Sequence, residues 1–171
     1  NHLQLAQNTS VADLVVQYFT TPTLEDKVLI TSTMDGNDEI YETNLNFSNF
    51  LRRTNSPNQD WQVSVSKDKS KVAYNSSYNL YVANIDFTNP RPLTANTHTP
   101  QWHPNNNTIV FVRIENSISD LYKINSDGSG LIRLTNDSHQ DVDPSFSSDG
   151  NKIIFASDRD GPYGAMRVYT M

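Results

Sequence analysis

The histidine and carboxylate side chains of this sequence are the residues that could bind a metal ion. His98 and His103 lie five residues apart, and His139 follows further along the chain. Imidazole and carboxylate groups are common ligands of zinc and other transition metals. This spacing matches no ligand motif, and His103 stands beside Pro104 in a turn-like sequence. We therefore predict surface turns here, with no bound metal and no cofactor.

A second charged cluster, Asp158-Arg159-Asp160 before Gly161, has the oxygen density of a calcium loop or an acid–base pair. The glutamate that closes a typical calcium loop is absent. A hairpin turn with a charge-paired arginine explains the same residues more simply. We expect no catalysis at this cluster.

The parts needed for nucleophilic or nucleotide chemistry are missing from the sequence. The 171 residues include no cysteine, which excludes a thiolate nucleophile, a disulfide and cysteine-ligated zinc. No serine lies in a Gly-x-Ser-x-Gly elbow, and there is no glycine-rich phosphate loop. The chain is therefore predicted not to be an enzyme.

The charge balance argues against nucleic acid as a partner. Thirteen lysines and arginines face nineteen acidic residues, for a net charge of −6, and the longest basic run is Arg52-Arg53. No apolar run approaches the roughly 20 residues that cross a bilayer. We expect a globular domain that is not itself transmembrane.

The elements that position these residues come from a repeat of about 40 residues, the length typical of propeller blades. Tyrosines that follow an apolar residue recur at separations of 40, 41 and 47, and threonines that follow a basic or leucine residue recur at 40 and 41. These residues are Tyr41, Tyr81, Tyr122 and Tyr169, with Thr54, Thr94 and Thr135. β-branched segments that end in a bulky residue keep the same order.

Each repeat is predicted to form four short strands. In the best unit they lie around 101–103 and over 108–113, 120–125 and 131–135. Asp127-Gly128 and Asp149-Gly150 supply the residues that tight connections need, and Asp35-Gly36 does so earlier. The prolines are expected to border the first strands, where a missing amide donor costs least; they are Pro100, Pro104 and Pro144.

These features predict an all-β fold, a β-propeller of four-stranded blades. Two complete units, 61–95 and 99–136, are flanked by an incomplete unit at each end. The chain is thus expected to be a partial propeller of about four blades or part of a larger ring. Residues 27–171 form the blades, and 1–26 form an N-terminal extension.

The last predicted blade stops inside its third strand, which leaves an open sheet edge. Three arrangements would cover that edge: the rest of a larger ring, a closing strand from Leu14–Phe19, or the pairing of two chains. The stretch from Val11 to Tyr18 also has a helical pattern. A fragment of a larger ring is the favoured expectation.

The sequence from Leu134 to Gly161 resembles the repeat of the TolB-type propeller family. That repeat typically reads Leu-Thr, then Pro-x-Trp-Ser-Pro-Asp-Gly-Lys, an apolar strand, and Ser-Asp-Arg-x-Gly. The chain has Leu-Thr at 134–135, Pro-Ser-Phe-Ser-Ser-Asp-Gly at 144–150 and Ser-Asp-Arg-Asp-Gly at 157–161. The preceding unit matches with substitutions at 100–105, and the resemblance weakens toward the N-terminus.

The resemblance implies a non-catalytic module for protein–protein recognition in the bacterial periplasm or cell envelope, or in a secreted protein. Its expected partner is a protein such as an envelope lipoprotein or a membrane-complex subunit. Related blades also form the noncatalytic propellers of prolyl oligopeptidase-like and tricorn-like hydrolases, which is the alternative. A metal-dependent carbohydrate-active propeller is a third.

Alignment of the units suggests where a partner would bind. Asp60, Thr97 and Asp141 fall in equivalent positions, which the sequence places just before the innermost strand near the mouth of the central channel. The candidate partner-binding residues are Asp60, Trp61, His98, Asp141 and Asp143. The alternative is that they are ordinary turn residues and a blade-packing tryptophan.

Overall fold

The computed structural model describes residues 27–161 and 164–171. These residues fold into fourteen strands. The chain divides into two compact units, Asn1–Trp61 and Gln62–Met171. The predicted N-terminal extension, with its closing strand or helix, lies outside the described residues.

The described part of the first unit contains a three-stranded antiparallel sheet. Its strands, in spatial order, are β1 (Lys27–Ser32), β2 (Glu39–Asn44) and β3 (Leu51–Arg52). Val28, Ile30 and Tyr41 form its buried cluster. Gly36, at φ 113°, allows the connection between β1 and β2 to turn.

The second unit contains two four-stranded sheets and one three-stranded sheet, each a meander in which consecutive strands pair. The first sheet consists of β4 (Asp60–Val65), which begins at the unit boundary, β5 (Lys71–Ser76), β6 (Asn79–Asn84) and β7 (Arg91–Ala95). The second consists of β8 (Thr97–Trp102), β9 (Thr108–Glu115), β10 (Ile118–Asn125) and β11 (Ile132–Arg133). The last consists of β12 (Asp141–Phe146), β13 (Ile153–Ser157) and β14 (Arg167–Thr170).

The predicted all-β fold, its order of strands and its glycine turns are confirmed, with Gly128 and Gly150 at φ 86° and 77°. The start of the innermost strands was predicted wrongly. Asp60, Thr97 and Asp141 are the first residues of these strands rather than the residues before them. They are buried, whereas turn residues at a channel mouth would be exposed.

Pro100 and Pro144 lie inside their strands, which corrects the expectation that they border them. The register of β8 against β9 shifts between His98 and Gln101, and β12 has the same shift against β13. Each proline thus lies in a β-bulge, where the ladder is interrupted and the missing N–H costs no hydrogen bond.

In the second unit, alternation along the second strand builds the core between neighbouring sheets. Ile109 and Phe111 of β9 pack against Ala73 and Leu80 of the preceding sheet. The residues between them, such as Val110, face the next sheet. Because successive side chains of a strand point to opposite faces, β9 is buried on both sides and is apolar throughout its center.

Trp102 fills the space between the first two sheets of this unit. It is buried, and its Nε1–H donates to the carbonyl oxygen of Ser64 at 3.2 Å. The hydrogen bond satisfies the one polar group of the indole, so the ring contributes its apolar surface without an unpaired donor.

Within a sheet, a polar clasp fixes the short fourth strand to the third. The backbone N–H of Leu121 donates to Thr135 Oγ1 at 3.0 Å, and Thr135 Oγ1 donates to Asp120 Oδ1 at 3.3 Å. Arg133 closes the arrangement, with Nε to the carbonyl of Thr135 at 2.8 Å and Nη2 to Asp120 Oδ2 at 2.5 Å. Thr135 and Asp120 are buried.

The first unit repeats this clasp with Thr54, Arg52 and Glu39. The N–H of Ile40 donates to Thr54 Oγ1 at 2.8 Å, and Arg52 Nη2 donates to Glu39 Oε1 at 2.8 Å. Burial alone would raise the pKa of Glu39, but hydrogen bonds from Thr54, the Ser56 backbone, Arg52 and Asn37 outweigh it and lower that pKa. The carboxylate therefore stays charged.

Replacing Thr135 by valine is expected to destabilise the fold by about 1–3 kcal/mol, because the buried N–H of Leu121 loses its acceptor while the volume is kept. Urea unfolding would measure the change. Thr108→Val, at the start of β9, is the matched control and should stay within about 0.5 kcal/mol. Equal effects of the two changes would show that the clasp contributes nothing to stability.

Candidate functional site

The starts of the first strands and the hairpin turns between second and third strands lie at one end of the second unit. The first strands β8 and β12 begin there, and Thr97 lies opposite Arg113 at the end of β9. Because neighbouring strands are antiparallel, the hairpin turns at 77–78 and 116–117 lie at this same end. We call it the bulge end, after the bulges of β8 and β12.

The third residues of the first strands share a backbone conformation and differ in side chain. Gln62, Thr99 and Asp143, each the third residue of a first strand, have φ values of 53°, 47° and 52°. Positive φ is uncommon for residues other than glycine, and such residues cluster at functional sites. The same strained position thus presents an amide, a hydroxyl and a carboxylate in successive sheets.

A polar network joins Gln62 of β4 to the bulge of β8. Gln62 Oε1 accepts hydrogen bonds from Asn75 Nδ2 and from the backbone N–H of Thr99, both at 2.8 Å. Thr97 Oγ1 donates to Asn75 Oδ1 at 2.8 Å. Asn75 and Thr97 are fully buried, so the network holds the starts of β4 and β8 in a fixed relation.

His98 lies half-buried on β8, with its ring edge-on to that of Tyr78 at 5.2 Å between centroids. Burial lowers the pKa of His98 below its ordinary value, because the charged imidazolium loses solvation. His98 is therefore neutral at pH 7, and its ring is available for apolar contact and hydrogen bonding.

Asp141 is engaged by the charge-paired arginine that the sequence predicted in the hairpin 158–161. Arg159 Nη2 donates to both carboxylate oxygens of Asp141, at 2.9 and 3.0 Å. The arginine also approaches Asp137 at 3.5 Å. Asp141 is fully buried, so its carboxylate anchors this hairpin against the start of β12.

The five predicted binding residues fall in both units. His98, Asp141 and Asp143 lie at the bulge end of the second unit, where β8 and β12 pack against each other. Asp143 is exposed and His98 is half-buried. Asp60 and Trp61 belong to the first unit; Asp60 is buried and accepts a hydrogen bond from Ser56 Oγ at 3.2 Å, and Trp61 is half-buried.

The histidines considered as metal ligands have separate surroundings. His103 Nδ1 accepts from the N–H of Asn105, so Nε2 carries the proton that bonds the carbonyl of Gly150 at 3.1 Å. His139 lies 3.3 Å from Asp158. In the part of the chain that the structure describes, no group of three or more histidines and acidic residues is placed to hold a metal ion.

The sequence alone did not single out Tyr78 or the bulge residues Gln62 and Thr99. A signal for Tyr78 exists, because a bulky aromatic occupies a two-residue hairpin turn whose counterpart in the next sheet is Asn116-Ser117. Gln62 and Thr99 carry no such signal. Their polar side chains are common in any loop, and only their positive φ in the structure reveals them.

Comparison with known proteins places the fold in a family. Residues 79–171 match the family model described as TolB beta propeller domain. A Protein TolB homolog of Chlorobaculum tepidum is 31% identical over 64% of this chain, and the chain spans only 26% of that protein's length.

Two solved structures share the fold. A protein of Agrobacterium tumefaciens assigned as TolB superposes with a TM-score of 0.72 at 21% identity, over 85% of this chain and 57% of that one. TolB from Acinetobacter baumannii gives 0.65 at 18% identity, over 78% of this chain and 34% of that one. At this identity the likeness establishes the fold alone. No helix within the described residues is long and apolar enough to cross a membrane.

The lowered pKa of His98 predicts a dependence of stability on pH. The native state binds fewer protons at this site than the unfolded chain, so the stability is complete above the unfolded pKa of about 6.5 and falls as the pH decreases through it. His98→Gln should reduce the stability lost between about pH 7.5 and about pH 5, as measured by urea unfolding.

His139→Gln is the matched control for this experiment, because His139 lies at the surface beside Asp158 and the change leaves His98 in place. The control should keep the part of the pH dependence that His98 causes. A His98→Gln variant that loses as much stability as the parent protein at low pH would contradict the prediction.

Proposed function

The chain belongs to the TolB β-propeller domain family, and we propose that it is a non-catalytic module that binds a partner protein in the bacterial periplasm or cell envelope. The periplasmic setting and a partner such as an envelope lipoprotein or membrane-complex subunit rest on family membership. The chain spans about a quarter of its curated relative, so the proposal concerns the module rather than a whole protein.

The observation that carries the proposal is the contrast between a repeated framework and a varied bulge end. The backbone repeats closely, down to the positive φ of Gln62, Thr99 and Asp143. The side chains at these positions do not repeat. Of the three side chains Asp143 is exposed, whereas Gln62 and Thr99 are half-buried. Core packing does not require an exposed carboxylate at this position, whereas selective recognition needs particular exposed groups on a rigid support.

The five candidate residues divide into two roles under this proposal. Trp61, His98 and Asp143 are half-buried or exposed and would contact the partner. Asp60 and Asp141 are buried, so they would act by positioning. Asp141 does this through Arg159, which ties the hairpin 158–161 to the start of β12.

The test compares the binding of one partner by matched variants. The chain is used to capture proteins from a bacterial envelope extract, and the captured protein is purified for titration. The double variant His98→Ala/Asp143→Asn is expected to bind it at least about tenfold more weakly, because a contact ring and a charge are lost. Asparagine tolerates the positive φ of Asp143, so the backbone is preserved.

The control variant carries Lys67→Ala and Lys152→Ala, at the opposite end of the sheets, and should bind like the parent chain. Trp61→Ala, tested separately, reports on the first unit. If the His98/Asp143 variant binds as the control does, the bulge end is not the recognition surface. If no envelope protein is retained by the parent chain, the recognition role itself is overturned.

A further inference from the structure

Tyr78 stands at the tip of the β5–β6 hairpin in a conformation that suits small residues. Ser77 and Tyr78 form a two-residue turn with φ values of 45° and 64°, and the Tyr78 residue is 51% exposed. The equivalent turn of the next sheet has Asn116 and Ser117 at 51° and 65°. Positive φ favours asparagine and glycine in such turns, so local structure does not explain a tyrosine here.

Contacts with its neighbours hold the ring of Tyr78 in place. It meets His98 edge-on at 5.2 Å, and its backbone carbonyl accepts the N–H of Thr97 at 2.8 Å. His98 is in turn fixed on β8 opposite Val112. Two neighbouring rings, one exposed and one half-buried, therefore form a preorganised aromatic corner at the bulge end.

The sheet that carries Tyr78 differs from the other three at this corner. In those sheets the equivalent tyrosine, which lies in β2, β10 or β14, donates its hydroxyl to an acidic residue near the adjacent turn. The pairs are Tyr41–Asp35 at 2.6 Å, Tyr122–Glu115 at 3.3 Å and Tyr169–Asp160 at 2.8 Å. The β5–β6 turn has no acidic residue, and Pro92 takes the place that Arg52 has in β3 and Arg133 has in β11. The turn that carries Tyr78 thus lacks the charged groups of its counterparts.

The charged residues of the bulge end indicate which kind of peptide segment would bind beside Tyr78 and His98. Asp143 is exposed at the bulge end, and Glu115 lies there beside Arg113, the cross-strand neighbour of Thr97. The lysines of the second unit lie toward the opposite end of the sheets; they are Lys67, Lys69, Lys71, Lys123 and Lys152. Its arginines Arg113, Arg133, Arg159 and Arg167 lie toward the bulge end, where the first three pair with acidic residues. A cationic segment is complementary to this end because its acidic residues outnumber its arginines; they are Glu115, Asp120, Asp137, Asp141, Asp143, Asp158 and Asp160.

We propose that the aromatic corner formed by Tyr78 and His98 anchors an aromatic side chain of a partner peptide segment, and that lysine or arginine residues beside this side chain face the carboxylates of the bulge end. The inference rests on the proposed function and names the chemistry of the partner. Aromatic anchors surrounded by weaker polar contacts are the usual source of affinity in such interfaces.

The probe for the test is a hexapeptide of alternating lysine and phenylalanine, compared with a glutamate–phenylalanine and a lysine–alanine hexapeptide. NMR titration of the chain should show the first probe shifting the ring signals of Tyr78 and His98, with markedly weaker effects from the other two. Tyr78→Ser should weaken binding by about tenfold or more. This variant adopts the residue that the next sheet has at the same turn position, so folding is preserved.

Leu131→Ser, an exposed apolar residue toward the opposite end, is the matched control and should bind the probe like the parent chain. Equal binding by the Tyr78→Ser variant, or shifts confined to the opposite end, would overturn the inference. A chito-oligosaccharide that shifts Tyr78 while the peptide does not would overturn it in favour of glycan binding. If the captured envelope protein binds parent and Tyr78→Ser chains equally, the anchor fails and the recognition role stands.

Discussion

The burial of second and third strands on both faces is the constraint on which the structure depends. In β9, Phe111 packs toward the preceding sheet and Val110 toward the next, and both are fully buried. In the last sheet the equivalents of Val110 and Leu121 are Ile154 and Val168, which are 43% and 75% exposed. Within the second unit a sheet therefore relies on its neighbour to bury its apolar surface, as expected for a repeat architecture.

The packed faces and the clasp of Asp120, Arg133 and Thr135 stabilise the sheets, and neither requires a particular exposed residue at the bulge end. Exposed residues of this end such as Asp143 can therefore vary, whereas Gln62 is held by its hydrogen bonds to Asn75 and Thr99. In the sheet of Tyr78 the charged partners of the clasp are replaced together, by Asn79 and Pro92. A buried carboxylate without its arginine would be costly, so their joint loss is physically consistent.

The sequence was sufficient to predict the fold because its signals are local and repeated, whereas the candidate site depends on a departure from the repeat. Thr97 to Pro100 have neither apolar alternation nor an uninterrupted set of amide donors, so the start of β8 was placed too late. The burial of Asp141 was also hidden, because its partner Arg159 lies eighteen residues away. The His98–Tyr78 contact joins two sheets, which no pattern within one repeat contains.

The turn between the first and second strands of a sheet also could not be assigned from residue type alone. Lys69, Asn106 and Gly150 occupy one turn position, and all have positive φ, although only the last is glycine. The turn is built by the preceding side chain: Asp149 accepts hydrogen bonds from Ser147 and Asn151, which lower its pKa to about 2. The aspartate or asparagine before it lets this turn position accept lysine and asparagine as well as glycine, so the residue type alone does not mark the turn.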